Sequence, residues 1–196
     1  MPRIEALLQD RRFYLLLEKF DEDLAQAARE EGCPCGGRLH GAAYPRKPRG
    51  GPADLSEACE RRHSFCCAEE GCRRRLTPPS LRFLGRKVYL GAVVLLATAM
   101  QQGPTPARAG RLHELVGASV RTLRRWRAWW QKGFAETPFW KTMRSRFASP
   151  IRMAELPSSL LDRFRGRGRT WRRVVVLALG FLAPMTATPA EPRLVF

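Results

Sequence analysis

All six cysteines of this chain fall between Cys33 and Cys72, and that crowding constrains the fold more than any other feature. The surrounding stretch, residues 32–76, is rich in glycine and proline and has little helical periodicity, so it can bury little apolar surface by itself. A module of this kind needs a cross-link. Residues 1–30 alternate charged and apolar side chains instead of presenting an uncharged core and a cleavage site, so no secretory signal is expected and the thiols are read in a reducing compartment. Clustered cysteines there point to a metal ion before disulfides.

Cys33-Pro34-Cys35-Gly36-Gly37 has the form of one metal-binding turn, and HSFCCAEEGCRRR supplies a second pair. Two pairs on glycine-containing turns can set four thiolates tetrahedrally around Zn2+. The simplest set is Cys33, Cys35, Cys67 and Cys72. Cys66 is the alternative to Cys67, because neighbours on a strand point to opposite faces and only one can meet the ion. Cys59, on the helix-prone LSEACERR, reads as a bystander; His40 and His63 read as substitute ligands or plain surface residues. With four protein ligands the site is closed, which makes the expected zinc structural. A strand is expected over Arg38–Pro45 and another near His63–Cys66, with the loose loop PRKPRGGPADL between.

Helical periodicity governs the rest, so the predicted fold is mainly α: a small β-containing zinc ribbon, then a helical helix-turn-helix domain and a helical C-terminal tail. Residues 1–31 are expected to be one amphipathic helix, 32–76 the zinc-ribbon-like module, 77–132 the helix-turn-helix DNA-binding domain, and 133–196 a helical tail that could serve as an interaction segment. Arg86–Gln101 reads as a buried helix, and Gly103 and Pro104 lead out of it. Val174–Leu182 is apolar enough to need burial, in this chain or a partner subunit. The apolar stretches beginning at Val88 and Val174 fall short of the roughly 20 residues a spanning helix needs, so no membrane partner is expected.

The stretch PARAGRLHELVGASVRTLRRWRAWW carries the functional expectation. Leu112, Leu115 and Val116 give one helical face, Gly117 interrupts it, Ser119 can cap a new helix, and Val120, Leu123, Trp126 and Trp130 follow at helical spacing. A helix, a tight turn and a second helix with an arginine front have the form of a helix-turn-helix. Arginine's planar fork can bond guanine O6 and N7 together, or grip a phosphate. Ser119, Arg121, Thr122 and Arg125, near the start of the second helix, are the base-reading candidates. Arg124, Arg127 and Lys132, with Arg73, Arg74 and Arg75 after the second cysteine pair, are the phosphate-holding ones. The stretch RGRGR, from Arg165, is either a further set of phosphate contacts or a flexible basic linker.

The charge distribution agrees with a polyanionic partner. Residues 1–31 hold eight acids and five bases, which gives −3, whereas the whole chain carries +17, leaving +20 for the remainder. The paired cysteines with their CPxCG-like turn, SFCC followed by GCRRR, and a helix-turn-helix containing RTLRRW together resemble the N-terminal DNA-binding region of bacterial insertion-sequence transposases and their small accessory proteins. The resemblance covers about residues 32–132 and implies binding to the DNA ends of a mobile element. The first cysteine pair is Cys-x-Cys, shorter than is usual in a zinc ribbon. Such transposases continue into a domain whose Asp and Glu residues hold two metal ions, but here only Glu136, Glu155, Asp162 and Glu191 follow Gly133. No catalytic residue is therefore carried over.

The expected function is a non-catalytic, sequence-specific DNA-binding protein: an accessory factor, regulator or remnant of a transposase. Its expected partners are double-stranded DNA and a homodimer mate or a transposase, with no small-molecule substrate, and its expected place is the cytoplasm, at the nucleoid. The alternative is an RNA-binding or ribosome-associated zinc ribbon, which uses the same charge and metal. An enzyme is not expected, since no Gly-x-Ser-x-Gly, Walker or His-Glu-x-x-His pattern occurs.

Overall fold

The computed structural model describes residues 2–84, 88–100 and 105–188. Helix dominates, with a small sheet near the cysteines. The N-terminal segment is two helices, α1 (Pro2–Leu8) and α2 (Arg11–Glu31), where periodicity alone predicts one. Asp10 makes the break. Its backbone is extended and its carboxylate accepts a hydrogen bond from the Arg12 amide at 2.9 Å, the side-chain-to-backbone competition that puts Asp at helix starts. The kink lets the buried Tyr14 hydroxyl donate to the Leu8 carbonyl at 3.0 Å. Burial pushes the Tyr14 pKa above the ordinary tyrosine range.

The cysteine module follows as β1 (Leu39–Gly41), β2 (Tyr44–Pro45), the single-turn α3 (Glu57–Glu60), β3 (Arg61–Arg62), β4 (Phe65–Cys67) and β5 (Arg75–Leu76). An antiparallel sheet runs β1-β4-β5, with Leu39 opposite Cys67 and Phe65 opposite Leu76; β2 and β3 form a separate ribbon. The loop expected to be loose is fastened at Arg49, whose amide donates to the Val88 carbonyl at 2.9 Å and whose carbonyl accepts from the Leu90 amide at 3.2 Å. Gly50, with φ of 87°, lies so close to Val93 that a Cβ there would meet its side chain at 2.8 Å.

The helical body comprises α4 (Gly91–Ala99), α5 (Pro106–Val116), α6 (Val120–Ala128), α7 (Pro138–Met143), α8 (Ser158–Arg165) and α9 (Trp171–Leu182). Of the buried helix expected over Arg86–Gln101, the part from Gly91 is present, whereas Arg86 and Gln101, like Gly103 and Pro104, lie outside the described residues. α4 is buried on every side from Gly91 to Thr98, as an all-apolar helix at the centre of a body should be. After α6 a wide turn over Trp129–Gly133 closes with the Phe134 amide on the Trp129 carbonyl at 2.7 Å. It brings together Trp130, Phe134 and Trp140, all buried, with ring centroids 5.0 Å apart at Phe134–Trp130 and Phe134–Trp140.

One core runs from Leu8, Phe13 and Leu17 through α4 to Leu123, Trp126, Trp130, Leu160 and Leu179. Residues 77–132 and 133–188 therefore share their apolar interior. Val174, Val175, Ala178, Leu179 and Leu182 are covered within this chain, so α9 needs no partner subunit for its burial. A second, much smaller cluster holds Cys33, Leu39, Phe65 and Cys67 with Ala25 of α2.

A buried ionic joint connects the two. Asp21, on α2, accepts hydrogen bonds from the Ser80 hydroxyl, the Leu81 amide at 2.6 Å and Arg82 Nε at 2.9 Å, and Asp21 and Arg82 are both fully buried. Arg82 donates onward to the carbonyls of Ala58 and Arg61, at 2.7 and 3.1 Å. Arg62, also buried, donates to the carbonyls of Pro78 and Thr186. Every charge taken from water here is paired or hydrogen-bonded, as burial demands.

Candidate metal centre and nucleic-acid interface

The sequence leaves Cys66 and Cys67 as rival ligands, and β4 decides between them. Cys67 is buried and turns toward the two turns, whereas Cys66 Sγ faces backbone carbonyls of Cys67 and Arg73 at 3.7 Å. The Sγ atoms of Cys33, Cys35, Cys67 and Cys72 all lie within 4.8 Å of one another. Cys33 and Cys72 approach to 3.7 Å, Cys35 and Cys67 to 3.5 Å. Tetrahedral zinc with Zn–S bonds of about 2.3 Å sets its sulfurs about 3.8 Å apart. Four close thiols of this spacing are compatible with a metal site.

Local geometry explains why the turns carry glycine. Gly36 has φ of 87°, and the Gly36 amide donates to the Cys33 carbonyl at 2.8 Å. A Cβ on Gly37 would come within 2.7 Å of Cys67 Sγ and 3.3 Å of Cys35 Sγ, so the backbone passes between the sulfurs only because no side chain is there. The Gly37 amide also donates to Cys35 Sγ at 3.4 Å, and chiefly this bond lowers that thiol's pKa to about 7. Burial pushes the Cys67 thiol up to about 12. The cysteine pairs are held apart from the other candidates. Cys59 is buried under Ser56, His40 is exposed on β1, and His63 faces Glu18, with Nε2 4.0 Å from its carboxylate.

Two capped helices joined by a glycine turn occupy the stretch expected to form the helix-turn-helix. Thr105 caps α5, with Oγ1 accepting from the Arg108 amide at 3.3 Å, and Gly117 ends it with φ of 64°. Ser119 caps α6, its hydroxyl accepting from the Thr122 amide at 3.3 Å. The Tyr89 hydroxyl ties the turn to the body by donating to the Gly117 carbonyl at 3.1 Å. Leu123, Trp126 and Trp130 are buried, and the Trp126 ring meets that of Tyr89 edge-on at 4.8 Å. Val120, expected on this apolar face, is instead 44% exposed, because it lies at the edge beside α5.

The basic candidates separate into groups. Arg121, Arg124, Arg125 and Lys132 are exposed and Arg127 half-buried; none has an ion pair or side-chain hydrogen bond among the described residues. Arg124, Arg127 and Lys132 border an open hollow of about 790 Å3 between α5 and α6, whereas Arg121 and Arg125 lie outside it. Ser119 and Thr122, offered as base readers, spend their hydroxyls on each other at 3.1 Å and on the cap. Arg75, offered as a phosphate contact, is turned onto its own module, where it donates to Ser64 Oγ at 3.2 Å and the Ala42 carbonyl at 3.1 Å. Arg73 is exposed 3.9 Å from Glu70, and Arg74 is half-buried.

No protein-family model matches the chain, and no curated protein or solved structure matches it either. No helix among the described residues is long and apolar enough to cross a membrane. Sequence reasoning missed the Asp21–Arg82 joint. Its only outward sign is a Ser-Leu-Arg run after two prolines, with nothing to mark Arg82 as buried.

Proposed function

We propose that this chain is a non-catalytic DNA-binding protein in which a structural zinc ion, held by Cys33, Cys35, Cys67 and Cys72, steadies one end and α6 enters the major groove of duplex DNA. The observation that carries this reading is the division of α6 into a buried side of Leu123 and Trp126, continued by Trp130, and an opposite side of unpaired, exposed arginines. Arginines without internal partners are available to bases and phosphates, and a capped helix entered through a short turn can present its first residues to base edges. Arg121 and Arg125, clear of the α5 hollow, are assigned to bases; Arg124, Arg127 and Lys132 are assigned to phosphates. The transposase-like motifs make the ends of a mobile element the expected target.

Selection of bound sequences from a random duplex library by the purified, zinc-loaded protein tests the reading. A defined motif that degrades in Arg121→Ala and Arg125→Ala supports it. Binding without preference, or tighter binding to structured RNA than to any selected duplex, overturns it in favour of the RNA-binding alternative.

A further inference from the structure

The stretch RGRGRT is a turn rather than a loose linker. The Arg167 amide donates to the Phe164 carbonyl at 3.0 Å, and the loop then runs back against the first turn of α9. Gly168 makes the contact possible: a Cβ there would lie 2.8 Å from Val174 Cγ2 and 3.0 Å from the Val174 amide. Folding the loop this tightly brings Arg167 and Arg169 to the same hollow as Arg173, a space of about 410 Å3 that Thr170 also lines.

What distinguishes these three arginines is the fate of their neighbours. Arg172 is engaged by Asp10 at 2.5 Å, Arg165 lies over the Trp171 ring and 3.6 Å from Asp162, and Arg163 donates to the Pro150 carbonyl at 2.8 Å. Arg167, Arg169 and Arg173 have no such partner among the described residues, and no acid lines their hollow. Three arginines lining one hollow that no acid lines concentrate positive charge there, and an anion bound between them would offset it. Their rigid forks suit the oxygens of phosphate.

We infer that Arg167, Arg169 and Arg173 form a second phosphate site, for the phosphodiester backbone of nucleic acid, separate from α6. It reads no bases. It adds affinity of the kind that falls steeply with salt. The inference uses the nucleic-acid partner of the proposed function but none of its base-reading residues.

The test measures affinity for a random-sequence 30-bp duplex across a salt series, with the full zinc-loaded chain and the variant R167Q/R169Q/R173Q. The slope of log affinity against log salt is expected to shrink by up to about 2.7, which three phosphate contacts supply at about 0.9 each. The melting temperature should hold, since among the described residues the three side chains have no hydrogen bond or ion pair to lose. An unchanged slope in the variant overturns the site while leaving the α6 reading intact. A reduced slope, accompanied by unaltered sequence preference in R121A/R125A, supports the site and sinks the base-reading assignment. Binding to vesicles of phosphatidylserine and phosphatidylcholine that is lost in the variant, with duplex affinity unaffected, overturns the nucleic-acid assignment in favour of a lipid headgroup.

Discussion

In the cysteine module the small buried cluster consists of Leu39, Phe65, Cys33 and Cys67, with Ala25 lent by α2, whereas the helical body buries three tryptophans and a fully enclosed helix. The first has little apolar area to offset the entropy of ordering its loops, so a cross-link through its four close thiols would matter most there; the second is held chiefly by buried area. The functional surfaces differ accordingly. The module uses its polar groups internally, as Arg75 does on Ser64 and Ala42, while α6 is anchored so firmly by Leu123 and Trp126 that its arginines need no structural duty.

The strongest way to break this contrast is to remove the metal. Chelation, or Cys72→Ser, should abolish amide-exchange protection across residues 33–76 while α4 and α9 keep theirs; apparent binding energies for structural zinc of about 10–16 kcal/mol set the scale. Zinc affinity should also fall as pH is lowered, because each thiol must shed its proton to bind as thiolate. Equal loss of protection in α4 would show that the body depends on the metal too. Next in size is Asp21→Ala, which strands the buried Arg82 guanidinium and should cost about 3–5 kcal/mol in a denaturant titration. Since Arg82 holds Ala58 and Arg61, the variant should loosen the module's seat even with zinc bound. A loss under 1 kcal/mol would mean the joint is incidental. Arg121→Ala and Arg125→Ala should each weaken binding to a preferred site by about 1–3 kcal/mol and relax its specificity, with stability unchanged. Smallest is Ser119→Ala, which should destabilise α6 by about 1 kcal/mol through loss of its cap, leaving zinc content untouched.

Much of this arrangement was legible in the residues. The cap at Ser119, the glycine turn at Gly117 and the final apolar helix all follow from local rules, and the structure has each of them. The four close thiols were legible from clustering, although the choice between Cys66 and Cys67 depends on strand register, which periodicity cannot supply over three residues. Less legible was anything that depends on distant contact. Asp10 breaks a helix whose apolar period runs on unbroken, because the break is fixed by where Leu8 and Tyr14 are buried. Arg75 and Arg82 look like any other arginine in a basic run, and only the tertiary fold turns one onto its own sheet and the other into the core.

The joint made by Arg62 joins positions far apart in synthesis order. Its guanidinium reaches the Thr186 carbonyl, and the Thr186 hydroxyl accepts the Ser80 amide at 2.8 Å. A ribosome making this chain has released the cysteine module long before Thr186 emerges from the exit tunnel. The module's contacts with Arg82 and Leu90 can close as soon as those residues are free of the ribosome, whereas the Arg62 bond to Thr186 must wait until α9 has been made, so the module is seated first and latched last.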